Sequence, residues 1–421
     1  MRQKLEKNIN FHEVAEQFGT PFYVYDGATL VENYQRLANS LPSCVDVFYA
    51  LKVNPNVSLC ALLRTQGANA EVCSLAELEI ALKAGYEPNN IIFLGPSKTD
   101  EEIQRALEVG IFALVIESSE EFYRVDQIAK SIAKTANVAI RINPEFSTKY
   151  APLKMGGRPT HFGIEEVQLF KLFANFLDAK NINIMGLHVY NGSRILEARG
   201  IYENTQYILG LYERVSQNFN HKFSMIDVGG GMGVPYFINE KELNMAELAD
   251  LLTPLFVQFN KRYPDTRILM ESGRYIAATS GAFVCRVNSI KQCYGEEFLI
   301  TDGGTHCHLS AVGIGAVVQR NFPTENISAK NTVDTKTYNV AGVLCNPEDL
   351  LARKIELPLS QTGDLIAIFK SGAYGPSASP AFFHSQGHPK EILIHQGQSY
   401  LIRMQDKPKD IINRQILVDS I

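Results

Sequence analysis

Between about residues 30 and 275, short apolar runs alternate with amphipathic stretches, and this alternation restricts the possible folds more than any other feature. Strands that alternate with helices pair in parallel through right-handed crossovers. Eight such units close into a (β/α)8 TIM-like barrel, in which functional residues lie at the C-terminal ends of the strands. The predicted barrel strands are 45–51, 70–72, 91–94, 114–116, 138–142, 185–189, 225–228 and 268–271.

Helical periodicity lies between these strands. Ser74 and Glu77 have the spacing of a capping box, which predicts a helix that begins at this point. The predicted helices include 74–84, 100–109, 119–134, 164–179 and 204–218.

After about residue 276 the pattern changes to strand-like runs separated by turns, which predicts a second, mostly antiparallel β domain. The early strand 21–25 precedes the barrel and could pair into the barrel sheet. The predicted domains are an N-terminal segment 1–29 that joins the β domain, a barrel 30–275 and a β domain 276–421. The predicted strands of the last are 282–287, 298–302, 339–343, 365–369 and 391–394.

Composition excludes several classes of partner. A formal net charge of −5 in 421 residues gives no electrostatic reason to expect nucleic acid or an anionic membrane. The charged N-terminus lacks the apolar core of a signal peptide, and no apolar run approaches membrane-spanning length. Seven scattered cysteines without a CxxC pair argue against a disulfide framework or zinc knuckle. We therefore expect a reduced, cytoplasmic protein.

Lys52 lies between Leu51 and Val53, where a buried ammonium must be desolvated, paired or used covalently. Burial lowers the pKa of a lysine and frees the amine as a nucleophile. The alternative is a strand-end lysine whose head group reaches solvent. Five further features lie at predicted strand ends, namely Glu71, Arg141, His188, the Gly229–Gly231 loop and Glu271. This coincidence favours a functional role for Lys52.

Each of these motifs also has a structural interpretation. Gly229, Gly230 and Gly231 suit backbone binding of a phosphate, or simply a tight turn. Glu271 could hold a protonated pyridine nitrogen and Arg274 a carboxylate or phosphate, or the two could form a local ion pair. His188 is either catalytic or a structural histidine whose hydrogen bonds are satisfied.

Three motifs lie in the predicted β domain. Tyr374, in a Gly-Ala-Tyr-Gly run, could reach a phosphate or only pack in a turn. His306 and His308 would face one side of a strand and line a polar pocket; a metal site would need a third ligand that the sequence does not supply, so no metal is predicted. Cys345 stands where a proton donor could lie.

Taken together, these motifs resemble the fold-type III pyridoxal-phosphate decarboxylases, the family of diaminopimelate and ornithine decarboxylases. The match runs in family order from Phe22-Tyr23-Val24-Tyr25-Asp26 to Gly372-Ala373-Tyr374. The resemblance implies an alanine racemase-like fold, pyridoxal 5′-phosphate as cofactor, an amino-acid substrate, and a homodimer with shared active sites.

The resemblance also implies residue roles. Lys52 resembles the lysine that binds the cofactor as a Schiff base, and Glu71 and Arg141 resemble the acid and arginine near it. His188 resembles the residue stacked on the pyridine ring.

By the same resemblance, Ser193, the Gly229–Gly231 loop and Tyr374 are the expected phosphate ligands. Glu271 resembles the partner of the pyridine nitrogen, which keeps the ring a strong electron sink. Cys345 resembles the proton donor that reaches the site from the other subunit.

One departure from the family pattern bears on the substrate. Diaminopimelate decarboxylases typically have a glutamate after the cysteine, whereas this chain has Asn346. An asparagine suits a neutral amide where a glutamate suits an ammonium. Together with Arg274, His306 and His308, Asn346 is therefore expected to contact the substrate.

We predict an acylated distal amine, as in a citryl-diamino acid such as N-citrylornithine of carboxylate siderophore synthesis. The alternatives are diaminopimelate decarboxylation in lysine synthesis and decarboxylation of an amino acid bound to a carrier protein.

Overall fold

The computed structural model describes residues 5–312 and 320–418. Its strands are β1 (Phe22–Asp26), β2 (Val45–Ala50), β3 (Asn69–Val72), β4 (Ile91–Phe93), β5 (Ala113–Ile116), β6 (Ala136–Asn143), β7 (Leu153–Lys154), β8 (Ile164–Glu165), β9 (Ile182–His188), β10 (Gly192–Ser193), β11 (Met225–Asp227), β12 (Arg267–Ser272), β13 (Gly281–Cys293), β14 (Glu296–Thr301), β15 (Thr324–Asn326), β16 (Thr335–Ala341), β17 (Leu350–Pro358), β18 (Leu365–Phe369), β19 (Lys390–His395) and β20 (Gln398–Arg403).

The α-helices alternate with the early strands as expected. They are α1 (Phe11–Phe18), α2 (Gly27–Asn39), α3 (Val57–Thr65), α4 (Leu75–Lys83), α5 (Asp100–Val109), α6 (Ser119–Ser131), α7 (Glu166–Phe176), α8 (Ala198–Phe219), α9 (Met245–Arg262), α10 (Arg274–Ala277) and α11 (Pro408–Ile412).

Eight parallel strands form a closed barrel. Their order is β5-β4-β3-β2-β12-β11-β9-β6, and a pairing between β5 and β6 closes the ring. These are the eight strands predicted from the sequence, with ends that differ by up to three residues. The barrel interior is filled by apolar side chains, including Phe48, Ile92, Val115, Ala139 and Leu269, as the barrel architecture requires.

The helix start at Ser74 is confirmed, with one difference. The Ser74 side chain accepts a hydrogen bond from the Glu77 N–H at 3.2 Å, as an N-cap should. The Glu77 carboxylate, however, accepts from the Cys73 N–H at 2.8 Å instead of the Ser74 N–H. This contact fixes the backbone of Cys73 two residues beyond Glu71.

A second, mixed sheet is mostly antiparallel. Its order is β17-β16-β14-β13-β1-β19-β20, and β18 pairs with β13 and β15. The suggestion that the early strand 21–25 pairs into the barrel was wrong. Strand β1 lies instead between β13, to which it is antiparallel, and β19, to which it is parallel. All five of its residues are buried, so they need a sheet with both faces covered.

The chain divides into two compact units. The barrel unit comprises Val31–Pro235 and Glu240–Ile276, and the β unit comprises Met1–Leu30, Tyr236–Asn239 and Ala277–Ile421. Residues 1–4, 313–319 and 419–421 of this span lie outside the described part. The divisions at 30 and 276 are within one residue of the predicted ones. The four residues from Tyr236 to Asn239 were not predicted to leave the barrel.

Among the described residues, no helix combines the length and apolar character needed to cross a bilayer. All seven cysteines carry free thiols.

Candidate active site

The C-terminal ends of the barrel strands bring together most of the predicted site residues. In the sheet register, Arg141 on β6 lies beside His188 on β9, which lies beside Asp227 on β11. On the other side, Ala50 at the end of β2 lies beside Glu71 on β3. Titratable side chains from β3, β6, β9 and β11 therefore converge on one end of the barrel, because these strands are parallel.

Lys52 is paired, not buried. Strand β2 ends at Ala50, and a tight turn over Leu51–Val53 carries Lys52 out of the sheet. Its side chain is 36% exposed, and Nζ donates to Glu71 Oε1 at 2.5 Å. Nζ also lies 5.7 Å from the centre of the Tyr190 ring. The amine is thus held in place with access to solvent, as a nucleophile requires.

Glu71 is fully buried and has an unusual pKa. Burial and the negative charge of Glu271 raise this pKa to about 7, although Lys52 and the Cys73 thiol act in the opposite direction. The Cys73 thiol donates to the same Oε1 atom at 3.3 Å, and burial raises the pKa of Cys73, which keeps the thiol protonated. The second oxygen of Glu71 has no partner among the described residues. Glu71 is therefore poised to gain or lose a proton near neutral pH.

His188 and Glu271 form a buried pair. His188 Nε2 lies 2.9 Å from Glu271 Oε1, and the histidine and the carboxylate are 0% and 2% exposed. Burial lowers the pKa of His188, which favours the neutral ring. Burial opposes ionisation of Glu271, but the His188 hydrogen bond and the charges of Lys52 and Arg141 lower its pKa to about 2.

Glu271 does not form the local ion pair with Arg274 that was the alternative. Its Oε1 contacts His188, and its Oε2 has no hydrogen-bond partner among the described residues. Glu271 Oε2 and His188 Nδ1 are both buried without a partner among the described residues. Such groups are costly unless something else binds them.

Asp227 was missed in the sequence. It is fully buried at the end of β11, and its Oδ1 accepts from the Gly229 N–H at 2.8 Å. Burial and the charge of Glu271 raise its pKa. One ligand-type atom from each of His188, Asp227 and Glu271 lies within 4.8 Å of the others, so this trio is geometrically able to hold a cation. An acid at the end of a barrel strand was the signal that could have identified Asp227.

Glu117 was missed as well. It follows β5 and accepts from Arg141 Nη1 at 2.8 Å, with both side chains buried. Its two oxygens also accept the N–H groups of Gly95 and Gly163 at 3.2 Å. Arg141 also lies 4.4 Å from the centre of the Phe162 ring. Arg141 is thus part of a buried network beside His188.

The glycine loop packs too closely for side chains. A Cβ on Gly230 would lie 1.9 Å from Glu271 O, and one on Gly231 would lie 2.2 Å from Gly192 O. These approaches account for the glycines through packing alone. In addition, the buried N–H groups of Gly230 and Gly231 donate to no described residue, and the buried Ser193 lies next to Gly192. Unpaired N–H groups of this kind suit an anion.

In the β unit, Asp349 joins the loops that carry the candidate residues. Its Oδ1 accepts from the Thr305 N–H at 2.6 Å, and its Oδ2 accepts from the Leu344 N–H at 2.7 Å. His306 and Cys345 each follow one of these residues in the chain. One carboxylate therefore fixes both loops.

Cys345 is exposed, and Asn346 is half-buried. The Asn346 side-chain oxygen accepts from the Glu348 N–H at 3.0 Å, which closes a turn.

His306 and His308 do not share a strand face, because residues 305–307 form a turn. His306 is buried with an unpartnered Nδ1, and burial lowers its pKa. His308 Nδ1 lies 3.0 Å from Ser310 Oγ, and Nε2 lies 2.9 Å from Ser371 Oγ. Both His308 nitrogens are therefore occupied, and the expected substrate contact of His308 does not fit this geometry.

Tyr374 adopts a left-handed backbone conformation with φ of 59°. This conformation is costly for a bulky residue. Its role as a phosphate ligand remains a prediction.

Comparison with known proteins identifies the family. The model described as "Pyridoxal-dependent decarboxylase, pyridoxal binding domain" matches residues 27–278. The chain belongs to this family of pyridoxal-dependent decarboxylases. It is accordingly a carboxy-lyase with pyridoxal phosphate as cofactor.

The relatives extend over nearly the whole chain. The L-glutamyl-[BtrI acyl-carrier protein] decarboxylase of Niallia circulans is 35% identical over 97% of this chain and 96% of its own length. The diaminopimelate decarboxylase of Aquifex aeolicus is 30% identical over 95% and 92%. Among solved structures, Helicobacter pylori diaminopimelate decarboxylase complexed with L-lysine has a TM-score of 0.86 at 28% identity, covering 96% of this chain and 98% of that one.

The barrel end fits the cofactor of this decarboxylase family. Glu271 Oε2, which has no partner among the described residues, suits a protonated pyridine nitrogen, and the Gly230 and Gly231 N–H groups, which donate to no described residue, suit a phosphate. Lys52 would supply the amine, and His188 would supply a ring beside Glu271. The unpaired polar atoms at this end of the barrel are thus explained by the chemistry of the group that the family binds.

Proposed function

We propose that this decarboxylase removes the α-carboxylate of an L-amino acid whose distal amine is acylated. The specific substrate we propose is a citryl-diamino acid such as N-citrylornithine, used in carboxylate siderophore synthesis. The observation that carries this proposal is the orientation of the Asn346 amide in its turn.

The Asn346 oxygen already accepts from the Glu348 N–H, which leaves the two Nδ2 hydrogens as donors and one remaining lone pair on the oxygen. An N–H donor binds the carbonyl or carboxylate oxygens of an acyl group and has nothing to offer an ammonium. A glutamate here, as in diaminopimelate decarboxylases, would instead attract a free distal amine. Asn346 therefore favours an acylated substrate over a free diamino acid.

The residues at the C-terminal end of the barrel have separate roles in the proposed reaction. Bound pyridoxal phosphate withdraws the electrons left at the substrate α-carbon when carbon dioxide departs. Lys52 is the amine nucleophile, and Glu71 accepts or returns its proton. Glu271 keeps a proton on the cofactor nitrogen, and His188 fixes the Glu271 carboxylate. Ser193, the glycine loop and Tyr374 hold the phosphate, and Arg274 holds a substrate or cofactor oxyanion.

Cys345 is proposed to protonate the α-carbon after carbon dioxide has left, from the partner subunit of a homodimer. Its exposure is consistent with a residue that acts across a subunit boundary. Mixing equal amounts of Lys52→Ala and Cys345→Ala protein tests this sharing. Each variant alone should be inactive, and random exchange of subunits should restore about a quarter of wild-type activity. Sites contained within one subunit would recover none.

One observation favours a second candidate. The Niallia circulans relative, which acts on a glutamyl group on an acyl-carrier protein, has higher identity than the diaminopimelate decarboxylases named above. Such a substrate also has an acylated distal end, in this case a thioester, and would suit the Asn346 donor equally well.

The deciding experiment measures carbon dioxide release by the holoenzyme. N-citrylornithine, N-citryldiaminopropionate, free ornithine, lysine, meso-diaminopimelate and a glutamyl-loaded carrier protein are compared at equal concentrations. Preference for a citrylated substrate supports the proposal, and preference for meso-diaminopimelate overturns it. Turnover of the loaded carrier alone supports the second candidate.

Asn346→Glu is the matched variant for this panel. It should lower kcat/KM for the acylated substrate and raise it for the free diamino acid. An unchanged ratio of the two would remove Asn346 from the substrate site.

A further inference from the structure

The segment between Glu145 and Glu165 is distinctive in its charge. It contains Lys149, Lys154, Arg158 and His161 and no aspartate or glutamate. The whole chain, by contrast, has a slight excess of acidic residues, with 45 aspartates and glutamates against 40 lysines and arginines. We call residues 146–163 the basic segment.

Both ends of the basic segment are attached to the candidate active site. It begins just after β6, which carries Arg141, and it ends at Gly163, whose N–H donates to Glu117 at 3.2 Å. Glu117 is the partner of Arg141. Phe162, the penultimate residue, lies with its ring against the Arg141 guanidinium. The basic segment therefore leaves and returns at the C-terminal end of the barrel.

The middle of the basic segment is fixed beside the glycine loop. Strand β7 pairs with β10 so that Lys154 lies opposite Gly192 and Leu153 opposite Ser193. The Met155 N–H donates to Asn191 O at 2.9 Å. Lys154 therefore lies on the strand next to that of the expected phosphate ligand Ser193, opposite the residue that precedes it.

A single side chain fixes the position of Arg158. Asn143, the last residue of β6, accepts from the Gly157 N–H through Oδ1 and donates to Arg158 O through Nδ2, both at 2.9 Å. Gly157 has φ of 70°, and a Cβ there would lie 2.4 Å from Phe146 O. The backbone that carries Arg158 is thus anchored two residues from Arg141.

No described acidic side chain forms an ion pair with the cations of this segment. The side chains of Lys149, Lys154 and Arg158 form no ion pair with any residue that the structure describes. Lys149 and Arg158 are exposed, and Lys154 is half-buried. Three cations on one segment whose backbone is anchored at the C-terminal end of the barrel attract an anionic ligand.

We propose that Lys149, Lys154 and Arg158 form a subsite for the carboxylates at the distal end of the substrate. This inference rests on the proposed function, because it assigns residues to the acyl group of that substrate. A citryl group retains two free carboxylates after it is amide-linked, and these are opposite in charge to the three cations of the basic segment. A distal ammonium, as in free ornithine or lysine, would meet repulsion and no acid in this segment.

The test uses the variant Lys149→Gln/Lys154→Gln/Arg158→Gln and two measurements. The first is calorimetric binding of citrate alone to the holoenzyme. The second is KM and kcat for ornithine acylated on its distal amine by a citryl group or by an acetyl group, which has no carboxylate. We expect citrate affinity to fall and KM for N-citrylornithine to rise by about tenfold or more, since charge-assisted hydrogen bonds are lost. The kcat value and the constants for the acetylated ornithine should stay within about twofold of wild type.

Lys171→Gln/Lys180→Gln is the matched control. Both lysines are exposed, and Lys171 lies on the outer helix α7. This control should bind citrate as wild type does, and the visible absorbance of bound cofactor should be the same in all proteins.

The outcomes separate the two proposals. Equal citrate affinity in wild type and the triple variant, or no citrate binding to either, overturns the subsite. Tighter binding of 4′-phosphopantetheine than of citrate also overturns it, because the cations would then bind the phosphate of a carrier protein's prosthetic group. Citrate binding that is lost in the triple variant, without turnover of a citrylated substrate, supports the subsite and rejects the proposed substrate.

Discussion

His188 at the end of the barrel and His308 in the β unit are both fully buried, and burial lowers the pKa of both. Their hydrogen bonds differ. His308 lies between two serines, and the Ser371 hydroxyl donates onward to Ile368 O at 2.7 Å. Since Ser371 has only one proton to give, His308 must donate from Nε2 and accept at Nδ1. His188, by contrast, has one nitrogen without a partner.

This contrast separates a structural histidine from a functional one. Every polar atom of His308 is satisfied within the protein, which stabilises the fold. At the barrel end, His188, Glu71, Asp227 and Glu271 each retain a buried atom without a partner in the described residues. His188 and His308 are the same residue type and are equally buried. They differ in whether both ring nitrogens have a partner, and this difference indicates a ligand near His188.

The largest effect is expected from Glu271→Gln. Loss of the carboxylate removes the group that keeps a proton on the cofactor nitrogen, so kcat should fall by on the order of 10²–10³. The control is Glu391→Gln, which alters another buried carboxylate, one that accepts from Tyr25 at 2.7 Å. That variant should retain activity and lose thermal stability. Equal losses of activity in the two would break the distinction between the regions.

His308→Phe should lower stability and leave kcat nearly unchanged, the opposite of the effect expected for Glu271→Gln. It leaves Ser310 and Ser371 without their partner and should lower the free energy of unfolding by about 2–4 kcal/mol, with kcat nearly unchanged. His308→Gln retains a donor and should recover part of the loss. Chemical denaturation of the three proteins measures this, and a variant that loses kcat but not stability would contradict it.

His308 also predicts a pH dependence. Its pKa is lowered by burial from 6.5 to about 3. The unfolded chain therefore binds the proton more tightly, and stability is lost as pH falls from about 6.5 towards 3. His308→Gln should lose less stability over this range, and an identical slope in both proteins would contradict the assignment.

Glu71 predicts a pH effect on stability that is opposite in sign to that of His308. The pKa of Glu71 is raised from 4.5 to about 7, so the folded protein binds this proton more tightly than the unfolded chain does. Stability of the cofactor-free protein should therefore decrease as pH rises from about 4.5 to 7, by on the order of 3 kcal/mol at most. In Glu71→Gln this decrease should be absent. Melting temperatures between pH 5 and 8 test it.

The smallest effect is expected from Cys73, whose thiol acts only through Glu71. Cys73→Ala should lower kcat by about twofold to fivefold, because one neutral hydrogen bond is lost. It should also shift the pH at which the visible absorbance of the bound cofactor titrates. Cys73→Ser, which retains a donor, should restore both values, and failure to do so would leave Cys73 with a packing role only.

The sequence predicted the barrel well because parallel barrel strands are buried apolar runs, which remain visible without any knowledge of their partners. It also located the strand ends where Lys52, Glu71, Arg141, His188 and Glu271 come together. Pairing was harder to predict. Nothing in the pattern of residues 21–25 reveals that β1 pairs with strands more than 250 residues away.

Side-chain partners were the other limit. The spacing of His306 and His308 predicted a shared strand face, but a turn at residues 305–307 removes the two-residue alternation on which that prediction depended. Asp227 and Glu117 were missed because their importance comes from contacts across strands. The Asn346 turn could not be predicted, since it requires the position of the Glu348 N–H.

The position of β1 in the middle of the β sheet has a consequence for biosynthesis. Its neighbour β19 ends at His395, whereas β1 itself ends at Asp26. At ribosomal speeds, the first strand emerges on the order of 20–70 seconds before its last partner. During that interval the barrel sequence can fold, while an apolar strand at the nascent N-terminus has no sheet to join. The order of synthesis therefore makes this strand a natural target for chaperones, and the β unit is the last part of the molecule to be completed.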